Sequence, residues 1–439
     1  MIVRTLTFWS LVLSALAAPL VPYQIPIEGT RGHRGKFLHV TDIHIDPTYI
    51  PGSDPTFLCH RKNDNDTTLN VAGRFGALGK DCDSPVELVD AAFDFMKRNF
   101  SDEIDFVIYT GDTARHDRDA VKPRTEFDVL ADHAAILNHL TKSFDTSKIR
   151  IFPTIGNNDV FNHDQMPYGE QPLTQNLTKL WEPLGLNLQE DEDFQIGGYY
   201  TREITPTLSI VSLNTMHLYK NNVLAADCNA RKSAGTKMLK WFEKILKKAR
   251  RDGRKIYVIG HVPPHNDEGH HAYHLACYND YIYTLGTHYE VIAGQFFGHT
   301  NDDTIAFLHA HHPNKGPFHL ETIIDKPPNV DLKTHKILHV ISTAPSIIPF
   351  NNPAVRVYEY EKRGGRLVDY VQYWTDLNED EQRGRVEFVE EYAASKAYGL
   401  KDLTTKSWIG LLKTLERNGT EMELAGQDDE AELGHLAAT

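Results

Sequence analysis

Cysteine is scarce in this chain: 439 residues hold four, Cys59, Cys82, Cys228 and Cys277, and no two have C-x-x-C spacing. Structural zinc held by thiolates is thereby excluded. In a secretory protein four cysteines allow three pairings. Cys59 with Cys82 and Cys228 with Cys277 are expected, the first closing a polar stretch, Pro51 to Gly79, that has little periodicity and is otherwise a loose loop. Basic residues are outnumbered, 46 Lys and Arg against 60 Asp and Glu. With no basic stripe and no aromatic module, nucleic acid is excluded as a partner. Long apolar runs are missing as well. The run from Leu6 to Leu16 falls short of the ~20 residues that span a bilayer. With Arg4 ahead of it and the small residues Ala15 and Ala17 near its end, Met1 to Ala17 reads as a signal peptide, and no membrane span remains after its cleavage. No internal repeat is visible, so one catalytic domain is expected rather than an array.

What the chain does have is five short groups of metal-binding residues, each just after an apolar, β-rich run. They are Asp42-Ile43-His44, Gly111-Asp112, Gly156-Asn157-Asn158-Asp159, Gly260-His261 and Gly298-His299-Thr300-Asn301. The runs before them, Phe37 to Val40, Ile104 to Tyr109, Ile149 to Ile155, Ile256 to Ile259 and Val291 to Phe297, suit buried strands of a layered α/β fold. In such folds ligands collect beyond the carboxyl ends of the strands, so five loops can converge on one point. Any one Gly-Asp or Gly-His pair is an ordinary turn; their order and shared position carry the signal. The donor set is carboxylate, imidazole and carboxamide, which suits two divalent ions such as Mn, Zn, Co, Fe or Mg. Asp112 is the natural bridging carboxylate. Asp42, His44 and Asp112, with His299 or Asn301, would surround one ion; Asp112, Asn157, His261 and the remaining partner would surround the other. Ions roughly 3.5–4 Å apart can hold a bridging hydroxide for in-line attack on phosphorus, with no covalent protein intermediate.

On these motifs the chain resembles the calcineurin-like metallophosphoesterases, whose pattern is D-x-H, G-D, G-N-H-[DE], G-H and G-H-x-H. The stretches from His39 to Pro47, Tyr109 to Asp117 and Gly260 to Pro264 look like the acid sphingomyelinase branch, and within it the sequence is most similar to the fungal endopolyphosphatases. The resemblance runs from about Gly35 to Asp376. It implies an α/β fold, a four-layer sandwich of two mixed β-sheets flanked by helices with a small C-terminal helical appendage. It implies hydrolysis of internal phosphoanhydride bonds of inorganic polyphosphate, and residence in the vacuole lumen, with the extracellular space as the alternative along the same secretory pathway. The alternative within the branch is a phosphodiesterase acting on a lipid or nucleotide phosphoester. A non-catalytic phosphate-binding glycoprotein is disfavoured by the retained ligand cluster.

Two departures bear on substrate. Asn158 stands where the wider pattern has a histidine thought to protonate the leaving group, and Asn301 stands where G-H-x-H ends in a histidine ligand. An alkoxide needs general-acid help, whereas the end of a phosphate chain leaves as a far more stable anion. Loss of that histidine favours phosphoanhydride cleavage, with Asn158 left to bind substrate and His116 the candidate replacement acid. Asn301 can offer a carbonyl oxygen, and Asp302 and Asp303 follow it as competitors for the ligand role. Arg115 and His116, just beyond Asp112, are placed to contact a phosphoryl oxygen; a structural salt bridge is the other reading of Arg115.

The formal charge is −14, yet protonating all 23 histidines would carry it to +9, an upper bound because metal-bound histidines stay neutral. The groups His265, His270, His271 and His274, and His309, His311 and His312, are candidates for drawing in a polyanion at acid pH, against a plain reading as solvated loop residues. Arg61, Lys62, Arg74 and Lys80 are further basic candidates. Asn65, Asn99, Asn176 and Asn418 begin N-x-[ST] glycosylation sequons. The expected organisation is a signal peptide over 1–17, a catalytic domain over 35–376, a helical extension over 377–417 and an acidic, disordered tail over 418–439.

Overall fold

The computed structural model describes residues 33–425 apart from 267, 314 and 324–329, with side chains described as far as residue 415. The signal-peptide segment and the stretch after residue 425 lie outside the described residues, as does the side chain of Asn418. The strands in chain order are β1 Arg34–Val40, β2 Ile45–Asp46, β3 Ser84–Pro85, β4 Phe106–Tyr109, β5 Arg150–Pro153, β6 Tyr200–Thr205, β7 Leu208–Ser212, β8 Lys255–Ile259, β9 Ile292–Phe297, β10 Thr304–Ala310, β11 Phe318–Thr322, β12 Lys336–Thr343, β13 Ala354–Glu361, β14 Leu367–Trp374 and β15 Val389–Ala393. Two mixed sheets result, one in the order β15-β14-β13-β1-β4-β5 and one in the order β11-β10-β12-β9-β8-β7-β6, with β2 and β3 paired separately.

The five motif strands are therefore shared between the sheets: β1, β4 and β5 run parallel in the first, and β8 and β9 run parallel in the second. The sheets pack face to face through aromatic rings. Phe37 of β1 stacks on Phe106 and Tyr358 of its own sheet, at 4.7 and 4.9 Å, and meets Tyr257 of β8 and Phe296 of β9 across the interface at 5.6 and 5.4 Å. Offset and edge-to-face rings are favoured geometries that add to the burial of large apolar surface.

Helices cover the outer faces, completing the layered sandwich. Helix Val86–Phe100 turns Leu88, Val89, Ala92, Phe93 and Met96 inward, the i, i+3, i+4 pattern of an amphipathic helix. Helix Glu126–Ser143 starts at a capping box made by Thr125 and Asp128. Both expected disulfides form, Cys59–Cys82 and Cys228–Cys277, and among the described residues no helix is long and apolar enough to cross a membrane.

The C-terminal part differs from the sequence reading, which takes Arg385 to Arg417 as helical. Residues Val389–Ala393 are instead a strand that adds to the edge of β14, and the last helix runs from Thr405 to Ala425. Pairing with the open edge outweighs local helical preference here, and Phe388 stacks on Phe95 at 5.1 Å while Trp408 packs against Phe307 at 5.8 Å.

Candidate metal centre and cleft

The backbone itself marks the site. Asp42, His44, Asp112, His299 and Asn301 all have positive φ, between 44° and 76°. Non-glycine residues rarely take this conformation, and each turn of this kind costs energy that the surrounding fold must offset. All five lie directly after motif strands, where the chain must turn sharply to aim a side chain back over the sheet ends. The loops are tied to one another: Asp42 N–H donates to the Gly111 carbonyl at 3.0 Å, and the amides of Ile43 and His44 donate to the Asp112 carbonyl at 2.9 and 3.1 Å.

The sequence-predicted ligands converge. His44 Nε2 lies 3.4 Å from Asp112 Oδ2 and 3.8 Å from Asp42 Oδ1. On the other side His261 Nε2 is 3.2 Å from Asp112 Oδ2 and 2.9 Å from Asn157 Oδ1, which is itself 2.8 Å from His299 Nδ1. Asp42, His44 and Asp112 thus form one group and Asp112, His261 and His299 another, with Asp112 common to both. Lone pairs aimed at one another in a buried space need a proton or a cation between them. Asp42 Oδ1 and Asn301 Oδ1 are buried without a hydrogen-bond partner, so the donor set fits two divalent ions.

Ligand orientation is fixed from behind. The Nδ1–H of His261 donates to the Thr110 carbonyl at 2.8 Å and that of His44 to the Ala114 carbonyl at 3.1 Å, which turns both Nε2 atoms inward. Asp159 accepts from the amides of Gly156, Asp112 and Thr113 at 2.7, 2.9 and 2.7 Å, and so shapes the loop that carries Asp112. The electrostatics reflect the crowded acids. Burial opposes ionisation of Asp112, yet His261 and His44 hold its carboxyl well below the usual range. Burial also opposes protonation of His261, but Asp112 and Asp42 raise it to about 9.

Asn158 sits at the centre, its amide N–H donating to Asp112 Oδ1 and its Nδ2 to Oδ2, both at 2.8 Å. Those contacts commit it to orienting the shared carboxylate. Asn301 borders the cleft beside His299. Of its rivals, Asp303 is buried in an ion pair with Arg356 at 2.6 Å and accepts from Tyr392, while Asp302 accepts from Asn351 at 2.8 Å. Both contacts commit Asp303 Oδ2, while its Oδ1 has no hydrogen-bond partner.

His116 and Arg115 part company. The His116 ring stacks on His44 at 4.3 Å and borders the cleft, with its Nδ1 2.6 Å from Asp83. Burial lowers its pKa, partly offset by Asp83, whose own carboxyl is pulled down to about 2 by His116 against the effect of burial. Arg115 is buried, and its guanidinium donates to the carbonyls of His116 and Lys122 at 3.2 and 3.3 Å, so it holds a loop rather than facing the cleft. The cations that border the cleft, a space of about 380 Å³, are Lys80, Arg118 and Lys220. Among the other basic candidates Arg61 is spent on Asp119 at 2.6 Å.

Sequence reasoning missed Asp83 and His163. His163 Nε2 is 3.0 Å from Asn157 Nδ2, and its ring meets His116 edge-on at 6.0 Å. Neither belongs to a motif; the signal for Asp83 was its place next to a disulfide cysteine. The histidine candidates divide in two. His265 and His271 stack with Tyr278 near the cleft rim, and His309, His311 and His312 belong to a separate cluster on β10 and its turn. Asn65 and Asn99 are exposed and Asn176 is half-buried.

The model of the calcineurin-like phosphoesterase family matches residues 35–303, and that of the acid sphingomyelin phosphodiesterase C-terminal region matches 338–423. An endopolyphosphatase from Saccharomyces cerevisiae is 33% identical over 296 residues, covering 65% of this chain and 43% of its own. The cyclic GMP-AMP phosphodiesterase SMPDL3A from Rattus norvegicus is 30% identical over 419 residues, covering 91% of this chain and 84% of its own. The chain thus spans less than half the length of the endopolyphosphatases it matches. A solved dimetal phosphatase from Danio rerio aligns with a TM-score of 0.42 at 13% identity, over 81% of this chain and 98% of its own.

Proposed function

The chain belongs to the calcineurin-like phosphoesterase family, and from that premise we propose that it is an endopolyphosphatase, a metal-dependent hydrolase of internal phosphoanhydride bonds in inorganic polyphosphate. Asp42, His44, Asp112, Asn157, His261, His299 and Asn301 would hold two divalent ions. When bound, such ions supply charge neutralisation at the phosphoryl oxygens and an activated water.

The observation that carries the reading is the cleft beside the ligand cluster, where Lys80, Arg118 and Lys220 border the same space as His299. A linear polyanion carries a charge at every phosphate, and several cations bordering one space can hold more than one of them, with Arg118 shared with Asp81 at 3.2 Å. The second support is Asn158: an amide that orients Asp112 cannot give up a proton, and a phosphate-chain leaving group asks for little general-acid help. The proton that is needed comes from His116, whose Nδ1 is turned to Asp83, leaving Nε2 for the leaving oxygen. The two disulfides fit an oxidising compartment, and the vacuole lumen is the residence we propose, where acid would add charge to the surface histidines.

One observation favours a second reading. The phosphodiesterase relative is covered over 84% of its length, and its branch's C-terminal region is matched at residues 338–423, so hydrolysis of a nucleotide or lipid phosphodiester is the competing activity. Incubating the purified protein and Mn²⁺ with long polyphosphate, and in parallel with cyclic GMP-AMP and sphingomyelin, separates them. Shortening to intermediate lengths on a gel, lost in Asp112→Asn, is expected. Intact polyphosphate beside rapid diester cleavage would replace the first reading by the second.

A further inference from the structure

Away from the cleft, three histidines close on one another at the β10–β11 hairpin. The register sets His309 of β10 opposite His319 of β11, and His335 immediately precedes β12, the strand on β10's other side. A bulge between Leu308 and His309 breaks the β10–β12 register at this point, the kind of irregularity that re-aims a side chain. At about 3.4 Å per residue, His309 lies roughly 17 Å along β10 from Thr304, which follows the last motif loop.

We propose that His309, His319 and His335 form a separate mononuclear site for a borderline transition metal such as zinc, nickel or copper(II). Their ring centroids are 5.5, 5.1 and 6.1 Å apart. Imidazoles around a tetrahedral ion with metal–nitrogen bonds of about 2.0–2.1 Å have centroids about 5 Å apart. The rings are thus spaced as ligands would be. The ring nitrogens do not all lie within 4.8 Å of one another as they stand, and imidazole χ2 is a broad torsion through which the rings can turn toward a common centre.

The second observation is His309 itself. It is 5% exposed, and neither ring nitrogen has a hydrogen-bond partner. Burying an imidazole with both nitrogens unmatched is costly, and a metal bond removes the cost at one of them. Burial, together with His335 and His319, takes its pKa down to about 4, so it is neutral and ligand-ready at pH 7. The neighbours are oriented as well. His311 Nδ1 donates to the Thr334 carbonyl at 2.8 Å, and His335 Nδ1 is 3.1 Å from Thr334 Oγ1, which leaves the Nε2 atoms for coordination. His311, 5.8 Å from His335, is the available fourth imidazole. A donor set of imidazoles without carboxylate selects zinc, nickel or copper over magnesium, calcium or manganese.

Nickel(II) equilibrium dialysis of the full chain tests this, comparing wild type, Asp112→Asn and the double variant His319→Ala/His335→Ala, the last alone and combined with Asp112→Asn. The expected result is one equivalent of nickel that survives Asp112→Asn and is lost, or weakened about tenfold or more, when the double histidine change is added to Asp112→Asn. Nickel should also raise the melting temperature of Asp112→Asn, but not of Asp112→Asn carrying the two histidine changes as well. The milder His319→Gln change, at an exposed strand position, serves if the double variant melts early without metal. Equal stoichiometry in the wild type and both histidine variants would overturn the proposal, as would nickel binding that only Asp112→Asn removes.

Discussion

Arg356 and Asp303 form an ion pair at 2.6 Å in which the arginine side chain is fully buried and the aspartate nearly so. Asp303 lies two residues beyond Asn301, while Arg356 is on β13, next to β1 in the other sheet. Gln372 of β14 also accepts from the guanidinium, and Tyr392 of β15 donates to Asp303. The C-terminal strands thus hold the loop that carries the last motif. Replacing one partner of a buried pair strands the other charge, at a cost of about 3–5 kcal/mol. Arg356→Met should lower stability by that order, read as a fall in the urea midpoint. A change within about 0.5 kcal/mol, usual for a plain surface site, would remove the pair from this role.

Asp159 acts on the metal site through backbone. It accepts from three amides that shape the loops of Asp112 and Asn157, and an asparagine there would point an N–H₂ at one of those donors. Asp159→Asn should leave the fold intact by circular dichroism and weaken Mn²⁺ binding about 10–100-fold, the scale of groups that orient ligands. Unchanged manganese affinity in a titration would show that the loop holds without it.

Much of this arrangement was legible in the chain. Each motif strand is short and apolar and each ligand follows at its end, so β1, β4, β5, β8 and β9 could be placed from pattern alone. Their division between two facing sheets could not, because strands buried on both faces read alike whichever sheet they join. Residues 389–393 were misread because edge pairing with β14 is a long-range choice that local periodicity does not contain. Asp83 was invisible for a similar reason: it reaches His116 from a loop 33 positions earlier in the chain. Arg115 had the right chemistry beside the right motif, but its direction depends on the carbonyls it finds.

His60 links stability to pH. Its Nδ1 lies 2.7 Å from Asp119 and its Nε2 2.8 Å from Asp46, so both nitrogens donate in the charged ring. Burial disfavours that charge, but the two carboxylates prevail and the pKa is raised. A histidine with a raised folded pKa contributes stability that is fully present below the unfolded value of about 6.5 and disappears as pH climbs through the folded value. The melting temperature of wild type relative to His60→Gln should therefore be highest near pH 5 and shrink above neutrality. A difference that grows with pH would reverse the assignment.

The pair His116 and Asp83 offers the sharpest separation of substrates. If Nε2 of His116 protonates the leaving oxygen, its value depends on how poor the leaving group is. A phosphate chain departs as a stabilised anion, whereas the alkoxide of a diester does not. His116→Gln should then slow hydrolysis of an alkyl phosphodiester by about 10²–10⁴-fold in kcat, the usual span for a lost general acid, and slow polyphosphate cleavage by clearly less. Asp83→Asn should follow the same order with a smaller drop, because it removes the carboxylate that holds Nδ1 at 2.6 Å and supports the charged ring while leaving the imidazole in place. A ring that only packs on His44 would instead give equal losses on both substrates. The ratio of the two rates is therefore the quantity to measure, since a general fall in metal occupancy would lower both and leave it unchanged.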